Sequence, residues 1–98
     1  MSYRVVLTST ANRDLDALST WVEREADAVV ADRYDQRIRT KIALLSDFPL
    51  RGTPHDDLAS GVRSLSFERR IIIYYRVTGR TVRVLRVVSG ARDQRKLF

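Results

Sequence analysis

Arginine is the chemistry-bearing residue that this chain repeats. Between Val62 and Val88 it stands at positions 63, 69, 70, 76, 80, 83 and 86, threaded through VRSLSF, ERRIIIYYRV and TGRTVRVLRVV. A guanidinium stays charged near neutrality and presents a planar fork of donors, so it grips phosphates or carboxylates and cannot serve as a general base. Arg63, Arg76, Arg83, Arg86 and Arg92 could line a phosphate-contacting groove, with Tyr74 or Tyr75 for stacking, or could hold the carboxylates of an acidic peptide. Arg80 at a hairpin tip and Arg95 in the tail read, on position alone, as solvated charges. Other chemistry is thin. His55-Asp56-Asp57 sits in a Gly/Pro-rich stretch and reads as a solvated turn. Asp14 and Asp16, two apart on a helix, point to different faces and are no metal pair.

Composition bounds the choice. The chain has 98 residues, no cysteine and a single histidine, which leaves no disulfide framework, no thiolate metal site and no basis for a histidine triad. At 44% hydrophobic and 31% charged residues it reads as one soluble domain with one modest core. No apolar run approaches a membrane span, so the expectation is a cytoplasmic protein without membrane contact. The net charge of +6 is segregated. Residues 1–60 carry eight Lys/Arg against ten Asp/Glu, a net of −2, and residues 61–98 carry ten against two, a net of +8. Such a field favours a polyanion or an acidic protein segment as partner.

Six elements must position the arginines. Tyr3 to Leu7 alternates as a short strand, apolar on both faces except at Arg4, which predicts a central strand. Hydroxyls at Thr8, Ser9 and Thr10 offer an N-cap for a helix from about Ala11 to Arg24, with Ala11, Leu15, Leu18 and Val22 as its buried stripe. Arg13, Asp14, Asp16 and Glu23 fall on its wet side, and Trp21 at the edge of the packing, in the core rather than at a partner. Asp27 caps a second helix to about Asp47, with Val30, Tyr34, Ile38, Ile42 and Leu45 in register and Leu44 widening the stripe. Phe48-Pro49 stops it. The stretch from Leu50 to Gly61 is loop. Three strands follow, broken at Gly79 and ended by Gly90. In the last, alternation puts Arg83, Leu85 and Val87 on one face and Val82, Val84, Arg86 and Val88 on the other. The fold class is α+β: an N-terminal strand, an antiparallel helical hairpin, a three-stranded antiparallel sheet (β-α-α-β-β-β), then a short tail or helical turn. The first strand should find a parallel neighbour across the helical crossover.

The order of these pieces resembles the RelE/ParE toxin superfamily of bacterial toxin–antitoxin systems, and within it the ParE branch. The matching features are Ala11-x-x-Asp14-Leu15, Ala31-x-x-Tyr34, Leu44-x-x-x-Phe48-Pro49-x-x-Gly52, Gly61-x-Arg63, Ile73-x-Tyr75-Arg76-Val77, and Val84-Leu85-Arg86-Val87-Val88 running into Gly90-Ala91-Arg92-Asp93. The resemblance spans Tyr3 to Phe98.

It implies a single toxin domain over residues 1–98, working in a toxin–antitoxin hetero-oligomer with a ParD-like antitoxin that has an acidic segment. It also implies a toxin that inhibits or poisons DNA gyrase without being an enzyme. RelE-type relatives instead cut mRNA on the ribosome with basic sheet residues and often a C-terminal tyrosine. Here the corresponding strand arginine falls on Ile72 and the tyrosine on Phe98, which has no hydroxyl to pass a proton. The ParE reading is therefore preferred, with no catalytic residues, cofactor or metal. Target- or antitoxin-binding candidates are Arg63, Arg76, Arg83, Arg86, Arg92, Arg95, Lys96, Phe98 and Tyr75. Ser89 stands where many ParE-type chains carry a histidine. The alternatives are a ribosome-dependent mRNA endonuclease and a non-toxic basic module that binds nucleic acid.

Overall fold

The computed structural model describes residues 2–90. The chain runs β1 (Arg4–Leu7), α1 (Ser9–Glu25), α2 (Ala28–Ala43), a 3₁₀ turn (Leu44–Ser46), β2 (Thr53–Pro54), β3 (Val62–Phe67), β4 (Ile71–Thr78) and β5 (Thr81–Ser89). The expected α+β class and its helical hairpin followed by an antiparallel meander are present. The expected tail or helical turn lies outside the described residues.

Both helices start on side-chain caps. Thr8 is extended and its Oγ1 accepts from the Ala11 N–H at 3.1 Å; Asp27 does the same for the Val30 N–H at 2.8 Å. Each such cap contributes about 1 kcal/mol. The buried positions are Ala11, Leu15 and Val22 on α1 and Ala31, Ile38 and Ile42 on α2. The second helix ends earlier than the sequence suggested, at Ala43. Its last turn tightens to 3₁₀, which turns Leu45 fully into the core and leaves Leu44 exposed.

Five strands form one sheet in the order β1-β5-β4-β3-β2. The first strand is an edge strand, not a central one. Its parallel neighbour is the last strand, with Arg4 opposite Thr81 and Leu7 opposite Val84. The other side of the strand is shielded at its start by the 3₁₀ turn, where Tyr3 N–H donates to the Ser46 carbonyl and Ser46 Oγ donates to the Tyr3 carbonyl, both at 2.8 Å. β2, within the stretch read as loop, adds two residues beside Ser64 and Arg63. One sheet face packs on the helices: Leu15, Ile38, Ile42 and Leu45 meet Phe67, Ile71, Ile73, Tyr75, Val82, Val84 and Val87. A smaller cluster of Val62, Tyr74 and Val88, with Leu58, Ala59, Ile72 and Leu85, lies on the other face.

The alternation read along the last strand fails in its middle. Tyr75 pairs with Val84 but Tyr74 pairs with Arg86, so Leu85 is an extra residue and the strand bulges there. Val87 therefore joins Val82 and Val84 against the helices, while Leu85 and Val88 share the opposite cluster. The β4–β5 hairpin is the expected tight turn: Thr78 pairs with Thr81 around Gly79, whose φ of +59° suits glycine. The β3–β4 turn shortens the strand read from Glu68. Arg70 N–H donates to the Phe67 carbonyl at 3.2 Å, and both corner residues, Glu68 (φ 48°) and Arg69 (φ 62°), are left-handed without being glycine.

Candidate functional site

A polar junction between α1 and β5 forms at the bulge. Beyond Leu7 the edge of β5 has no strand beside it, and the start of α1 takes over. Thr8 N–H donates to the Val84 carbonyl at 3.0 Å and Thr8 Oγ1 to the Leu85 carbonyl at 3.1 Å. Asp14 then accepts from the Val87 N–H at 2.9 Å and from both Nε (2.8 Å) and Nη2 (3.1 Å) of Arg86. This bidentate contact is charge-assisted and largely shielded, with side chains 20% and 13% exposed. The hydrogen bond to Asp14 holds the Arg86 pKa above its ordinary value, against the opposing effect of burial. Asp14 is thus a buried-side anchor, not the wet-side residue that helical spacing suggested.

A second junction fixes the loop before β3. The Tyr75 hydroxyl accepts from the Gly52 N–H at 2.8 Å, while Arg63 donates to the Gly52 carbonyl at 2.8 Å and the Leu50 carbonyl at 3.2 Å. A Cβ on Gly52 would stand 2.5 Å from the Tyr75 hydroxyl and 2.8 Å from the Ser64 carbonyl oxygen, so only glycine fits. Tyr75 is fully buried, and its ring cannot stack on a partner; Tyr74 is equally enclosed. Burial pushes both phenol pKa values up. His55 is tied down rather than solvated: Nε2 lies 2.7 Å from Ser64 Oγ, and its ring meets Tyr74 edge-on. Among the described residues no group of three or more His, Asp or Glu side chains could hold a metal ion.

The third feature is an apolar groove of about 1020 Å³ between the helical hairpin and the β3–β4 turn. Leu18, Trp21, Val22, Val30 and Tyr34 form one wall, and Ile71 and Ile72 the other. Trp21 is 53% exposed and Val30 41%, so the two residues assigned to the core line an open surface instead. At the mouth, Arg37 bonds both carboxylate oxygens of Glu68 (2.8 and 3.2 Å) and covers the Tyr34 ring, its Cζ 5.2 Å from the centroid. Tyr34 packs edge-on against Phe67 at 5.5 Å, and its pKa is raised by burial first and by the Glu68 charge second. Arg69 and Arg70 stand on the rim.

The sequence profile described as the ParE toxin of the type II toxin–antitoxin system parDE matches residues 5–94. The chain belongs to the ParE toxin family. Toxin ParE3 of Caulobacter vibrioides is 32% identical over 87 residues, spanning 89% of this chain and 86% of that one. A chain of the chromosomal ParDE system of P. aeruginosa superposes with a TM-score of 0.80 at 25% identity, covering 90% of this chain and 96% of that chain. A chain of the RelBE2 toxin–antitoxin complex of Mycobacterium tuberculosis gives 0.68 at 29% identity, covering 91% and 99%.

In this ParE-family fold the four proposed arginines among the described residues, Arg63, Arg76, Arg83 and Arg86, do not converge on one groove. Arg63 and Arg86 are committed to the two internal junctions. Arg76 donates from Nε to the Ser60 carbonyl at 2.9 Å, on the far sheet face. Arg83 is exposed beside it in the ladder. Arg92, Arg95, Lys96 and Phe98 lie outside the described residues. Ile72, in place of the RelE-type arginine, is half-buried at the groove. Sequence reasoning missed the groove because its walls come from three separate segments. The one available signal was Trp21 at the margin of the helical stripe.

Proposed function

We propose that this chain is a non-catalytic ParE-type toxin that binds and poisons DNA gyrase and is silenced by a ParD-like antitoxin. Family membership carries the reading. Support comes from the residues: Ile72 replaces the RelE-type arginine, and Arg63, Arg76 and Arg86 donate to backbone or carboxylate oxygens within the fold. None of them can accept a proton at neutral pH. The similar structures from P. aeruginosa and M. tuberculosis are described as toxin–antitoxin assemblies, which supports an antitoxin partner. An acidic, amphipathic antitoxin segment suits the groove, laying its apolar side on Trp21 and Ile72 and its carboxylates on Arg69 and Arg70. Arg83 and the segment holding Arg92, Arg95, Lys96 and Phe98 are the target-facing candidates. No helix among the described residues is long and apolar enough to cross a membrane; with gyrase as target, the place of action is the cytoplasm.

The test is a gyrase assay with folded, antitoxin-free protein, scoring supercoiling and trapped double-strand cleavage. Inhibition with trapped cleavage is expected. Undisturbed gyrase, together with codon-specific cuts in mRNA on translating ribosomes, would instead establish the RelE-type alternative.

A further inference from the structure

The sheet face turned away from the helices carries a charge arrangement that folding does not require. Val5, Leu7, Ile73, Tyr75, Val77, Val82 and Val84 point to the helices, so the residues between them point away. That places Arg4 on β1, Arg83 on β5 and Arg76 on β4 together on the open face, in three neighbouring strands. Arg83 and Arg76 are direct cross-strand partners, and like charges in that position destabilise a sheet. One register step along, Arg4 faces Thr81, which faces Thr78, adding two hydroxyls to the same patch.

Among the described residues, no carboxylate forms an ion pair with these three arginines. Arg76 reaches a backbone carbonyl, and Arg4 and Arg83 are exposed. The ion pairs among the described residues involve Arg37, Arg39, His55 and Arg86, and none of these three. The strands contribute no acidic residue to this face. In the adjoining loop, Asp56 is occupied by the Gly61 N–H at 2.8 Å and Asp57 lies beside His55.

We propose that this open face, beside the β4–β5 hairpin, binds the phosphate backbone of duplex DNA. Neighbouring strands lie about 4.8 Å apart, so Arg76 and Arg83 stand side by side with Arg4 diagonal to them, forming a compact patch of charge, and a duplex presents about one charge per 1.7 Å of axis. An acidic peptide would need apolar anchors as well, and the open apolar surface lies elsewhere, in the groove by Trp21. The inference does not depend on the gyrase reading. A toxin that holds DNA directly would have a sequence-independent grip with no aromatic or base-reading side chain.

The experiment is fluorescence anisotropy of a labelled random-sequence duplex with the full chain and no gyrase present. Three phosphate contacts predict a log–log salt slope of about −2.7, a roughly 40-fold loss of affinity between about 50 and 200 mM salt. Arg83→Glu and Arg4→Glu should each weaken binding and flatten the slope by about one. Arg33→Glu, an equal charge change on the exposed side of α2, should leave the slope in place. Because Arg83→Glu replaces a like-charge pair with Arg76 by an opposite one, its melting temperature should hold or rise while DNA affinity falls. Equal weakening by Arg33→Glu and Arg83→Glu would overturn the proposal, as would binding of polyglutamate without binding of DNA. Should Arg83→Glu fail to fold, Arg4→Glu on the edge strand decides.

Discussion

Replacing Asp14 by Ala tests the junction that holds β5 to α1. The substitution removes the acceptor of the Val87 N–H and both acceptors of Arg86. An unsatisfied, mostly shielded N–H costs about 1–3 kcal/mol. The abandoned guanidinium adds about 1–2 kcal/mol, below the 3–5 of a fully buried pair because Arg86 keeps 20% of its side chain in solvent. The expected total is about 3 kcal/mol, a large share of the roughly 5–15 kcal/mol that stabilises a domain. In urea this lowers the midpoint by roughly 1–3 M at unchanged slope. Asp14→Asn, which keeps one acceptor, should lose about half as much. Arg86→Met alone should cost about 1 kcal/mol, and the double variant Asp14→Ala/Arg86→Met should fall short of the summed losses by about 1–2 kcal/mol. Trp21 fluorescence and circular dichroism give the curves, and hydrogen exchange at the Val87 amide locates the loss. A change under about 0.5 kcal/mol for Asp14→Ala, or strict additivity in the cycle, would refute the junction as described.

Three further outcomes follow from the geometry. Gly52→Ala should cost about 2–3 kcal/mol in thermal unfolding, and adding Tyr75→Phe should recover part of it, since the hydroxyl at 2.5 Å is the nearest clash. Arg69→Gly relieves a left-handed corner, and should stabilise by about 1 kcal/mol, or about 4–8 °C in melting temperature. Tyr34, Tyr74 and Tyr75 have pKa values raised above 10.0 by burial, so the folded state favours their neutral form. Their contribution is full below the unfolded value and is lost as pH rises through the folded ones, so alkaline unfolding should coincide with the rise of phenolate absorbance. A gradual phenolate titration well before unfolding would count against that burial.

What the sequence disclosed was whatever local chemistry writes plainly. The caps at Thr8 and Asp27 and the corner at Gly79 use side chains or dihedrals that only certain residues supply. The missed features lack such marks. Leu85 bulges inside an unbroken run of strand formers, and one extra residue there reverses every side-chain direction after it. The Glu68-Arg69 corner is left-handed without glycine or asparagine to announce it. Asp14 looked solvated because helical spacing knows nothing of a strand edge 73 residues away. Tyr75 looked available for stacking because a strand pattern does not say which face a domain encloses. The candidate arginines were identified by type, but their division between internal junctions and an open face is a matter of register.

The partnership of β1 with β5 has a consequence for how the protein is made. Residues 4–7 are synthesised well before their hydrogen-bonded neighbours, residues 81–84, which follow only after both helices and two further strands. The helical hairpin can gather on the nascent chain from local contacts, whereas the sheet cannot include its first strand until β5 has been made. Loop closure over that separation makes β1 docking a late step. Arg4 therefore joins Arg83 and Arg76 on the open sheet face only after β5 has been made and β1 has docked on it.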